Sequence, residues 1–88
     1  MVEKTLTVKN RAGIHTRPAA IIAKTAAKFK SKIFFEKGTM KINAKSIMGV
    51  ITLGSPYQDI LKMTCIGPDE EKQAEAMEKL FENRFQEE

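Results

Sequence analysis

The apolar residues of this 88-residue chain change their spacing along its length, and this limits the folds open to it more than any other feature. From Val2 to Val8 the period is two, with Leu6 and Val8 on one side and Thr5 and Thr7 on the other, which predicts a half-buried strand. From Thr16 to Phe29 the period is that of a helix, with Ala19, Ile22, Ala26 and Phe29 on one face. Ser31–Glu36 and Met40–Asn43 read as strands again, with Lys37-Gly38-Thr39 as the hairpin between them. Residues 47–53 have the composition of a strand, but Ser46 in front and Gly54 behind are helix punctuation, so a short helix is predicted. Ile60–Ile66 is a further strand. Asp69 is then placed to cap a last helix, with Glu70 and Glu71 in its first turn and an apolar stripe of Ala74, Met77, Phe81 and Phe85, joined by Leu80. The order β-α-β-β-α-β-α predicts an α+β fold in one domain over residues 1–88. Its sheet should be mainly antiparallel, with three helices on one face.

Composition removes several function classes. A single cysteine, Cys65, excludes an internal disulfide framework and a cysteine-rich zinc site. Its position predicts a small buried apolar residue. No apolar stretch is long enough to span a bilayer, and the first residues read as a strand instead of a signal segment. The expectation is a reduced, cytoplasmic protein without a membrane partner. Charge is uneven: residues 1–46 carry 11 Lys/Arg against 2 Asp/Glu, and residues 47–88 carry 4 against 9. A basic half suits anionic ligands or acidic partners. Nucleic acid is not expected, because aromatics are only 7% and the last helix is acidic.

The chemistry concentrates at His15, the one histidine, which stands immediately before the first helix. The backbone N–H groups of Thr16 and Arg17 have no helical partner and face whatever the ring holds. The Arg17 guanidinium matches phosphate geometry better than an ammonium would. Pro18 is tolerated in the first turn and stiffens it. A neutral imidazole is a nucleophile, so these residues suit a phosphohistidine. They suit a structural cap equally well, and the residues alone leave both open. A metal site is not indicated, since no acidic residue or second cysteine stands near, and nothing calls for a cofactor.

Gly13-Ile14-His15-Thr16-Arg17-Pro18-Ala19 resembles the active-site motif of HPr, the histidine phosphocarrier family of the bacterial phosphoenolpyruvate-dependent sugar phosphotransferase system. Lys45-Ser46-Ile47-Met48-Gly49-Val50, with Leu53-Gly54 beyond, resembles the regulatory serine region of the same family, and the likeness spans essentially the whole chain. The resemblance implies an open-faced β-sandwich. It implies that His15 accepts a phosphoryl group on Nδ1 from enzyme I and passes it to sugar-specific enzymes IIA, with Arg17 and the Thr16 amide holding the phosphate. Catalysis would reside in the partners. It also implies that Ser46 is modified by an HPr kinase/phosphorylase, and that the modified form meets a catabolite-repression transcription factor in some bacteria. A regulatory interaction module of the same fold, read mainly through Ser46, is the alternative.

Ser46 is also a plain N-cap, worth about 1 kcal/mol, and a phosphate there would meet the positive end of the helix dipole. Ile47, Met48, Val50, Ile51 and Leu53 are apolar nearly all round a two-turn helix. A one-sided fold cannot bury them all, so Ile47, Met48 and Ile51 are expected at the surface and Val50 and Leu53 inside. The exposed residues, with Gly49 and Gly54, would form a partner site beside His15, extended by Ile21, Lys24 and Lys28 on the first helix. A relay that shows one face to several partners is expected to be a monomer. Two positions depart from the family pattern: Ala12 replaces the usual serine or asparagine, and Gln58 replaces a common glycine.

Overall fold

Each change of apolar period becomes a change of element. The computed structural model describes residues 1–86. It contains β1 (Val2–Thr7), α1 (Thr16–Ala26), β2 (Lys32–Lys37), β3 (Met40–Asn43), α2 (Ile47–Leu53), β4 (Ile60–Ile66) and α3 (Glu70–Glu82), followed by a tight turn over Arg84–Gln86. The four strands form one sheet in the order β1-β4-β2-β3, antiparallel throughout. The chain is thus an α+β, open-faced β-sandwich, as expected.

Register determines which side chains face the helices. Leu6 lies across from Leu61, Ile33 from Cys65, and Phe35 from both Met63 and Ile42. Residues directly opposite share a face, so these seven sit together on the inner side. All but Ile42 are at most 4% exposed, and they pack with Ile22 and Ala26 of α1, Val50 and Leu53 of α2, and Met77 and Phe81 of α3. Phe35, Phe81 and Phe85 stack edge-to-face in series, with centroids 5.9 and 4.9 Å apart. The outer side carries Thr5, Lys62, Glu36 and Lys41 in register, and a diagonal ion pair joins Lys62 to Glu3 at 3.2 Å. Cys65 is buried with no disulfide, and desolvation raises its thiol pKa to about 11.

Four local expectations need correction. The first helix ends at Ala26, not Phe29: Lys28 N–H bonds back to Thr25 O and Phe29 N–H to Ala26 O, a tightened turn that leaves Phe29 half-buried outside the helix. Lys37 belongs to β2, paired with Met40, so the hairpin loop is Gly38-Thr39 alone. The positive φ of Gly38 gives the turn a twist that suits two strands joined by two residues. Phe85 reaches the core without being on α3. The helix stops at Glu82, and Arg84, Phe85 and Gln86 all adopt positive φ, folding the Phe85 ring back against Phe81. Lastly, the Asp69 carboxylate does not cap its own helix. It accepts hydrogen bonds from the N–H groups of Lys30 and Ser31 and from the Ser31 hydroxyl, at 3.0, 2.9 and 2.5 Å.

Candidate functional site

His15 is the N-cap of α1. Its backbone is extended (φ −99°, ψ −164°), and its side chain makes no capping bond to the helix it precedes. The first helical hydrogen bond runs from Ala19 N–H to His15 O at 3.0 Å. Pro18 has no N–H, so the donors at this helix start are the amides of Thr16 and Arg17. His15, Thr16 and Arg17 are all exposed, while Pro18 and Ala19 are buried and anchor the turn. The helix dipole, two amide donors and a guanidinium therefore lie within two residues of an exposed imidazole.

The loop leading to His15 is firmly held. Gly13 has φ +75°, and a Cβ there would lie 2.9 Å from Ser55 O and 3.1 Å from Pro56 Cα, so the position needs glycine on both counts. Ile14 N–H donates to Ser55 O at 2.8 Å, tying the loop to the segment after α2. Asn10 is completely buried and its side-chain amide donates to Gly13 O at 2.6 Å. Neither Asn10 nor Ser55 stands out by residue type. The available signal was an asparagine three residues before a turn glycine, a pairing in which the carboxamide often bonds local backbone.

Ser46 caps α2 as expected: its Oγ accepts from Gly49 N–H at 3.0 Å, and Val50 N–H bonds its carbonyl. Gly54 closes the helix in the left-handed region, φ +62°. Lys37 Nζ reaches Gly54 O at 2.9 Å and Asp59 at 2.7 Å, placing a cation at the negative end of α2. Ile47 and Met48 are 43% and 69% exposed. Ile51 is half-buried against the core instead of exposed, because α2 packs on α1 and β3, and its flank closes over that contact; Ile21 is half-buried in the same way. Lys24 and Lys28 are exposed, and Lys24 lies in the last turn of α1. The fold thus packs α1 against α2 and leaves Ile47, Met48, Lys24 of α1 and Lys28 just beyond it at the surface.

Among the described residues, no group of three His, Cys, Asp or Glu could hold a metal, and no helix is long and apolar enough to cross a membrane.

An exposed histidine at a helix start, on an antiparallel sheet with three helices, is the arrangement to set beside known proteins. Residues 2–83 match the family model described as the PTS HPr component phosphorylation site. The chain belongs to the HPr family of phosphotransferase-system phosphocarriers. It is 48% identical over 88 residues to phosphocarrier protein HPr of Treponema pallidum (strain Nichols), covering 100% of both chains. The crystal structure of HPr-C-His from Thermoanaerobacter tengcongensis superposes with a TM-score of 0.96 at 45% identity, covering 100% of this chain and 99% of that one. An HPr-like protein Crh of Halalkalibacterium halodurans is 42% identical over 77 residues, which is 88% of this chain and 92% of that one. Such a protein is a carrier component of the phosphotransferase system and not itself a catalyst.

Proposed function

We propose that His15 receives a phosphoryl group from enzyme I and donates it to sugar-specific enzymes IIA. The observation carrying this reading is the exposed His15 ring at an extended N-cap, directly ahead of the Thr16 and Arg17 amides. In acceptance, the Nδ1 lone pair attacks phosphorus, the donor–phosphorus bond breaks with its electron pair leaving on the donor, and the ring proton on Nε2 passes through solvent to that departing group. The new phosphoramidate carries its negative charge towards the Thr16 amide, the Arg17 guanidinium and the positive end of α1. Donation reverses the step onto a IIA acceptor. The site only positions charge, which fits a group held at similar free energy before and after transfer. The partner surface is formed by Ile47, Met48, Gly49 and Gly54 with the half-buried Ile21 and Ile51, and Lys24 and Lys28 hasten encounter with acidic partners. One face meeting several partners in turn suits a cytoplasmic monomer.

Ser46 is the regulatory position in this reading. Its Oγ already accepts from Gly49 N–H, and phosphorylation by an HPr kinase/phosphorylase would put about two negative charges beside Ile47 and Met48. The partner so recruited would be a catabolite-repression transcription factor. The likeness to Crh supports the alternative, a module of the same fold acting mainly through Ser46.

Incubation with enzyme I and phosphoenolpyruvate tests the first reading. One acid-labile, base-stable phosphate per chain is expected, absent from His15→Ala, and drained by an enzyme IIA. Equal labelling of His15→Ala defeats it. Labelling that no IIA drains, together with ATP-dependent modification of Ser46, favours the alternative.

A further inference from the structure

We propose that Asn10 is a positioning residue for His15, acting through the Gly13 carbonyl. This inference rests on the phosphocarrier reading of His15 and adds the group that fixes where its ring starts.

Asn10 is 0% exposed although it lies in a surface loop. Burying a carboxamide is unfavourable, and here the bond that offsets the cost is made through the amide nitrogen and not through Oδ1. Its Nδ2 donates to Gly13 O at 2.6 Å, and the same carbonyl accepts the His15 backbone N–H at 3.2 Å. Gly13 N–H in turn donates to Asn10 O at 3.0 Å. The carbonyl that locates the His15 amide is therefore clamped from behind by a buried side chain. On its other side Gly13 lies against Ser55 O and Pro56 Cα, with no room for a Cβ, so it cannot retreat. Ala12 is exposed and has only a methyl group, so it contributes no hydrogen bond from its side chain.

The consequence is mechanical. An imidazole on an extended N-cap swings with its own Cα, and a shift of that Cα moves the phosphoryl group relative to the Thr16 and Arg17 amides. Asn10 removes that freedom without touching the phosphate, so it affects the reaction only through placement.

Two measurements test this. In the unmodified protein, hydrogen exchange should show the Asn10 side-chain amide protected as strongly as the Gly13 backbone amide. Exchange at the rate of a solvated carboxamide overturns the proposal whether or not any variant folds. In Asn10→Ala, the His15 amide should exchange at least about tenfold faster, and labelling of His15 by phosphoramidate, which releases ammonia as the new P–N bond forms, should slow by about tenfold. Ile33→Val, a core truncation in β2, serves as the control for lost stability alone and should leave both near the wild-type values. Equal changes in the two variants, or no change in Asn10→Ala, overturn the proposal. Because phosphoramidate and amide exchange need no protein partner, failure of enzyme I to label the wild type would count against the phosphocarrier reading and leave this one standing.

Discussion

The starts of α1 and α3 are the same local problem solved in opposite ways. Each is preceded by a residue that could cap it, His15 or Asp69, and in neither does that side chain cap its own helix. At α3 the carboxylate is committed elsewhere, to three donors on Lys30 and Ser31, and the Asp69 amide donates back to Ser31 Oγ at 3.1 Å. Glu70 takes over the helix start, accepting Gly67 N–H at 3.0 Å. At α1 the surrounding bonds are made by the backbone and by Asn10, and the ring itself stays exposed at the surface. One helix start is closed by its side chains and holds layers together; the other leaves its histidine at the surface, where the proposed carrier role needs it. The difference predicts that changes at α1 alter transfer and spare stability, while changes at α3 do the reverse.

The largest effect should come from the open start. Arg17→Ala removes the guanidinium two residues after His15 without disturbing the core, since Arg17 is exposed. Phosphoryl transfer from enzyme I should fall about 100-fold, with the urea midpoint unchanged. A midpoint that moved while transfer held would erase the distinction between the two starts.

The closed start should show the mirror image. Gly67 has φ +151°, and a Cβ there would sit 2.5–2.8 Å from Ser31 atoms, so Gly67→Ala should cost about 2–3 kcal/mol by urea denaturation while His15 labelling of the folded protein stays intact. Acid is a second probe. The Ser31 hydroxyl, followed by the backbone N–H of Lys30, pulls the Asp69 carboxyl down to about 2. A depressed carboxyl contributes stability that is full above its unfolded value, near ~4, and is lost as pH falls towards 2. Asp69→Asn should be less stable than wild type at neutral pH, and the gap should close over that window. A gap that persisted at pH 2 would show that Asp69 acts through shape instead of charge. Glu70 is also lowered, by the Met1 amine and then Gly67 N–H, so the wild-type acid limb includes it and only the difference between the two proteins isolates Asp69.

These contrasts also show what a sequence displays and what it hides. Element type was legible because period is local: Leu6 and Val8 against Thr5 and Thr7 needs no knowledge of the rest of the chain. The helix at 47–53 was legible against its strand-like composition because Ser46 and Gly54 are caps, and caps are local too. The place of His15 at a helix start was legible for the same reason, since Pro18 and the helical period that follows it fix where α1 begins. Partners distant in sequence were hidden. Asp69 looked like a cap because nothing near it in sequence reveals Ser31, 38 positions away. Gln73 sits buried on the inner side of α3 because its amide bonds Ala26 O and Ser31 O, at 3.3 and 3.0 Å, neither visible from its own helix. Phe85 fitted the helical stripe by spacing, but its backbone is left-handed, which spacing cannot report.

Ser46 lies between the two extremes, since it caps its own helix and is also the proposed regulatory site. Ser46→Ala should cost about 1 kcal/mol in urea, from the lost Gly49 bond, and leave His15 labelling within twofold. A large loss of labelling would mean that α2 geometry, and not only its charge, is read by the donor.

The smallest effect separates backbone strain from site geometry. Gln58 has φ +71°, in the left-handed region where a side chain costs about 1–2 kcal/mol and glycine almost nothing. Its N–H still makes a 2.7 Å bond to Val8 O, so the strain is tolerated to complete the pairing beyond β1. Gln58→Gly relieves that strain but gives the unfolded chain more freedom, which takes back about 0.5–1 kcal/mol. The net should be a gain of about 0.5 kcal/mol in the urea midpoint. Three residues earlier, Ser55 O holds Ile14 N–H, so the same variant asks whether the loop can relax without moving His15. Unchanged labelling would place the anchor at Ser55 and Gly13. Slower labelling with higher stability would show that the open helix start depends on strain stored in the 55–59 segment, and that the two starts differ in more than their side-chain bonds.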